Sequence, residues 1–69
     1  MQDVIAEIIS FNKGVLELFR HDNNSYIVLT IDNYKYIEDK LTKGTIIKIS
    51  YTKKQKISKI MFIKGGVNG

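Results

Sequence analysis

A chain of 69 residues has room for one domain, and at that length a single core only just offsets the entropy of ordering the backbone. It has no cysteine, which excludes both a disulfide framework and a thiolate metal site. At 43% hydrophobic and 26% charged residues it has a globular composition, and no run approaches the ~18 apolar residues of a membrane helix.

Asp3 and Glu7 interrupt the stretch where a signal peptide would need an apolar centre, so a soluble, cytoplasmic protein with no membrane partner is expected. The net charge of +4 is unevenly placed. Residues 1–44 carry five basic side chains against seven acids, whereas residues 45–69 carry six lysines and no acid. Such asymmetry points toward a polyanion. The competing reading is that lysines guard an exposed strand edge against sheet-to-sheet pairing.

In chain order, Val4–Phe11 is β-branched and apolar in both of its alternating registers, so its inward face stays open and a bulge there would shift it. The short polar connection Asn12-Lys13-Gly14, with a glycine free to take positive φ, predicts a hairpin into Val15–Arg20. His21–Ser25 is a second turn, and Tyr26–Ile31 a third strand. The stretch 32–44 divides the reading. Tyr34, Ile37 and Leu41 share one face of a short helix closed by Gly44, while Asp32-Asn33 would equally make a hairpin turn into a further strand. Thr45–Tyr51 and Ile57–Lys64 then form a last hairpin around a lysine-rich turn, and 65–69 reads as a flexible tail behind a single domain over 1–64.

Five strands split three and two by a short helical element predict an all-β protein, a five-stranded barrel of OB-like layout. Leu16, Leu18, Ile27, Leu29, Ile31, Ile47, Ile49, Ile60 and Phe62 are spaced to fill its interior. The same alternation turns Val15, Glu17 and Phe19, then Tyr26, Val28 and Thr30, to the outside. Strand three is thus apolar on both faces, more than a solvated sheet requires.

The closing KGTIIKISYTKKQKISKIMFIKG, a glycine turn followed by strand, basic loop and strand, resembles the end of the S1-like bacterial initiation factor, and the layout as a whole resembles the OB-fold proteins. The stretch NYKYIEDKL departs from that factor. The OB resemblance implies oligonucleotide or oligosaccharide binding on the face of strands two and three, bordered by the loops joining strands one to two and four to five.

Single-stranded nucleic acid needs cations for its phosphates and flat rings for its bases. Candidates for the first are Lys13, Arg20, Lys48, Lys53, Lys54, Lys56 and Lys59, and for the second Phe19 and Tyr26. Single-stranded DNA or RNA is therefore the expected partner. Catalysis is not expected. His21 is the sole histidine, the serines have no second histidine to activate them, and Asp32, Glu38 and Asp39 are interleaved with Lys35 and Lys40 as on a salt-bridged surface. Gly65-Gly66 opens no helix, so there is no phosphate loop, and neither a metal nor another cofactor is expected. The rival expectation is a protein-interaction or homodimerising barrel, a size that would suit a phage or mobile-element modulator of a host protein.

Overall fold

The computed structural model describes residues 3–65. Five strands, β1 (Val4–Asn12), β2 (Val15–Arg20), β3 (Ser25–Thr30), β4 (Ile46–Tyr51) and β5 (Ile57–Lys64), form one antiparallel sheet in the order β3-β2-β1-β4-β5. The all-β expectation holds. Of the expected tail 65–69, all but Gly65 lies outside the described residues.

The two apolar registers of β1 are resolved by a bulge between Ile8 and Ser10. An extra residue on one strand bends it and reverses the alternation. Val4, Ala6 and Ile8 point inward ahead of the bulge, and Phe11, opposite Leu16, does so behind it. At the bulge Ile8 leaves the β4 ladder, yet its backbone stays satisfied: its N–H donates to Thr45 O at 2.9 Å and its carbonyl accepts from Gly44 N–H at 2.8 Å. Lys13 and Gly14 both adopt positive φ, 48° and 87°, the two-residue turn whose twist matches that of the strands it joins.

Leu16, Leu18, Leu29, Ile47, Ile49 and Ile8 are fully buried, and Ile27, Ile60 and Phe62 pack around them as the alternation predicts. Burial of each such side chain contributes about 1.5–3 kcal/mol. Much of the core is therefore drawn from the inner faces of curled strands.

Residues 32–44 form no strand, and the helix expected there contracts to turns. Ile37 N–H bonds to Tyr34 O, Lys40 N–H to Ile37 O and Leu41 N–H to Glu38 O, with a single 3₁₀ turn over Glu38–Lys40. The i, i+3, i+7 face survives this contraction. Leu41 is buried, Tyr34 and Ile37 pack on the core, and Tyr34 meets Phe11 edge-on with ring centroids 5.1 Å apart.

The expected barrel is not closed. β3 and β5 meet at one parallel bridge, Thr30 with Lys56, where Thr30 N–H donates to Gln55 O at 2.9 Å. Past that point the chain leaves the strand direction at Asn33, whose φ is 52°. β5 then runs on for eight residues without a strand on its outer side. Among the described residues no helix is long and apolar enough to cross a membrane.

Candidate nucleic-acid interface

The outer face of the β2–β3 hairpin is fixed by its register: Val15 lies opposite Thr30, Glu17 opposite Val28 and Phe19 opposite Tyr26. Cross-strand neighbours on one face stand close enough for rings to touch. Phe19 and Tyr26 do so, with centroids 5.0 Å apart and planes tilted by 60°, and His21 meets Phe19 edge-on at 5.2 Å. His21 Nε2 in turn lies 3.2 Å from Glu7 Oε1. Phe19 is half-buried, while Tyr26 is 66% exposed and Val28 51%. Tyr26 presents the open ring, and Phe19 supports it from the side.

The opposite end of this face is bordered by two turns. Ile31 N–H donates to Gly14 O at 2.9 Å, which seats the β1–β2 turn there, and the Thr30–Gln55 bond seats the β4–β5 turn beside it. The second turn is held by Thr52, whose N–H donates to Lys56 O at 2.9 Å and whose carbonyl accepts from Gln55 N–H at 2.8 Å. Gln55 takes a positive φ of 61° to close it. Lys13, Lys53, Lys54 and Lys56 are all exposed on these turns, and Lys56 Nζ lies 3.1 Å from Asp32 Oδ2. Four residues of extended chain, about 13 Å, separate Tyr26 from Thr30.

Three of the expected cations do not join them. Arg20, expected to meet a phosphate, falls on the inward register with Leu18, and its side chain is only 18% exposed. Its Nε donates to Asp22 Oδ1 at 2.9 Å, a second nitrogen reaches the other carboxylate oxygen, and Nη1 donates to the Tyr51 hydroxyl at 3.1 Å. That fork raises the pKa of Arg20 and holds the Asp22 carboxyl below the usual carboxylate range. Lys48, opposite Ile5 and Met61, lies on the outer face of β1–β4–β5 with Nζ 3.7 Å from Asp3 Oδ2. Lys59, opposite Ser50, is on that side too. Asp3 accepts a hydrogen bond from the Ser50 hydroxyl and feels both lysines, which together hold its carboxyl below the ordinary value.

The β2–β3 face is not uniformly cationic. Glu17 stands at its centre, accepting from the Ser10 hydroxyl at 3.3 Å, and Glu7 flanks its aromatic end. A polyanion laid here would keep its phosphates by the turns and bring uncharged bases to the sheet. Tyr36, 79% exposed, was not among the expected site residues. The signal for it lay in the spacing: if Tyr34, Ile37 and Leu41 face the core, Tyr36 is off that face. Among the described residues no three histidines, aspartates or glutamates converge as a metal site would require.

No protein-family model, curated protein or solved structure matches this chain.

Proposed function

We propose that the chain is a non-catalytic domain of OB-like layout that binds single-stranded nucleic acid in the cytoplasm. One observation carries the reading: the β1–β2 and β4–β5 turns are hydrogen-bonded to the same end of β3, so exposed lysines border the sheet face on which Tyr26 stands open. The strand lies along β3 with its phosphates at Lys13, Lys53 and Lys54, Lys56 being engaged by Asp32, and a base against Tyr26. Phe19, itself met by His21, supports that ring. Titration of a labelled single-stranded oligonucleotide tests this. Removing the Tyr26 ring, Tyr26→Ala, is expected to weaken binding about 5- to 150-fold, the loss of ~1–3 kcal/mol of stacking, and to leave the thermal midpoint nearly unchanged because the ring is exposed. No measurable oligonucleotide binding by the wild-type chain at low salt would end the proposal.

A protein-interaction role is the second reading. Ile5, Met61 and Ile63 are exposed on β1 and β5, away from the β2–β3 face. Self-association detected by sedimentation, abolished by Met61→Lys, would favour it.

A further inference from the structure

The seam where the sheet fails to close is itself a site. Past the Thr30–Lys56 bridge, β3 gives way to the turn at Asp32-Asn33 while β5 continues, and the two diverge around a cleft of about 240 Å³. It is lined by Ile31, Asp32 and Tyr36 from one side and by Ile57, Lys59 and Ile60 from the other. The volume is below the ~300 Å³ at which drug-sized ligand pockets begin, so it admits one ring-sized group. Ile31 and Ile57 in its lining belong to the core, while Asp32, Ser58, Lys59 and Tyr36 make the lining mixed in polarity. The lining is chemically specific: an exposed tyrosine to stack on and a carboxylate that accepts hydrogen bonds.

Resting on the single-strand reading above, we infer that this cleft is a second base-binding station, selective for a nucleobase that carries an exocyclic amine. Asp32 lies within reach of Lys56 at 3.1 Å, so the cleft adjoins the lysine-rich turn that borders the β2–β3 face. A strand passing that turn with a phosphate at Lys53 or Lys54 brings its next bases to the cleft. An amine donates to the Asp32 carboxylate, as cytosine N4 does to acidic side chains, whereas the corresponding carbonyl of thymine or uracil sets oxygen against oxygen. Tyr36, which lines the cleft and is 79% exposed, offers its ring for the base to stack on.

The experiment compares oligo-dC and oligo-dT of equal length, in roughly the 4–16 nucleotide range of such sites, by fluorescence anisotropy with wild type, Tyr36→Ala and Tyr36→Phe. The inference expects tighter binding of oligo-dC, by about 5- to 150-fold for one well-made base contact. Tyr36→Ala is expected to erase most of that preference, and Tyr36→Phe, which keeps the stacking face, to retain it. Amide resonances of 31–36 and 57–60 should shift on adding oligo-dC and shift little with oligo-dT. If wild type binds both oligomers through Tyr26 yet Tyr36→Ala binds them as wild type does, or if the dC preference is absent, the cleft is overturned and the β2–β3 interface stands. If wild type binds neither, the single-strand reading fails and this inference with it.

Discussion

The salt dependence of binding can be worked from the ion pairs. For single strands, the logarithm of affinity falls with the logarithm of salt by ~0.7 for each phosphate contact a cation makes. Lys13, Lys53 and Lys54 have no acidic partner within ion-pair distance among the described residues, while Lys56 is engaged by Asp32, Lys48 by Asp3 and Arg20 by Asp22. Three uncommitted lysines on the two bordering turns give a slope of about −2, so affinity should drop about 20-fold between 50 and 200 mM salt. Counting all seven cations expected from the sequence would give a slope of about −5 and a drop near 1,000-fold.

Substitution separates these outcomes. Replacing both turn lysines, Lys53→Gln with Lys54→Gln, is expected to reduce the slope to about −0.7, leaving a two- to threefold dependence over the same salt range. Both side chains are exposed on a turn, so stability should change by no more than about 0.5 kcal/mol. Lys48→Gln, on the other outer face, should leave the slope at its wild-type value. The measurement is anisotropy at four or five salt concentrations with each variant. A double variant that keeps the full slope, or a Lys48→Gln that loses as much as either turn lysine, would refute the placement of phosphates at the turns.

Two further outcomes concern the scaffold. Gly14→Ala puts a Cβ at 3.1 Å from Tyr34 Cε2 and 3.3 Å from Ile31 O, at a φ of +87° that costs an L-residue roughly 1–2 kcal/mol before the contacts are counted. The stiffer unfolded chain returns about 0.4–1 kcal/mol, so a net loss of about 1–3 kcal/mol is expected, at ~4–8 °C in thermal midpoint per kcal/mol; an unchanged midpoint would contradict it. Asp3 and Asp22 have carboxyls held below their ordinary value, by the Ser50 hydroxyl and by Arg20 respectively. Their contribution to stability is therefore complete above the unfolded pKa of about 4 and lost as pH falls through the lower folded values. Urea midpoints from pH 6 to pH 2 should decline below about pH 4, and Asp22→Asn should flatten that decline.

The strands were legible because two local rules agreed along most of the chain. Leu16 and Leu18, or Ile47 and Ile49, alternate with polar or exposed neighbours, and each strand is bounded by Gly14, Asn24, Gly44 or Gln55 at the positive φ the turns need. β1 was not legible in its inward face, since Ile8 and Ile9 read alike and only the pairing with β2 decides which residue the bulge sets aside. In 32–44 both competing signals were real. Asn33 does take the left-handed conformation the hairpin reading required, and Tyr34, Ile37 and Leu41 do face the core as the helical reading required. Long-range packing on Phe11 and Phe62, to whose ring Lys40 Nζ lies 5.6 Å away, selects turns over either regular element.

The lysine excess of the C-terminal third combines two physical causes that composition adds together. Lys56, Lys59 and Lys64 lie at or along β5, one edge of the sheet, where a row of ammonium groups opposes pairing with another strand. Lys53 and Lys54 instead project from the turn seated at the end of β3, off the row of β5 lysines and with no acidic partner among the described residues. β3, the other edge, carries no charged residue from Ser25 to Thr30, and its Thr30 N–H is already taken by Gln55. The same turn that bears the two lysines therefore blunts the uncharged edge by occupying its end. A change that loosens it, by denying Gln55 its positive φ, is expected to expose the β3 edge and weaken nucleic-acid binding together, because one hydrogen bond serves both.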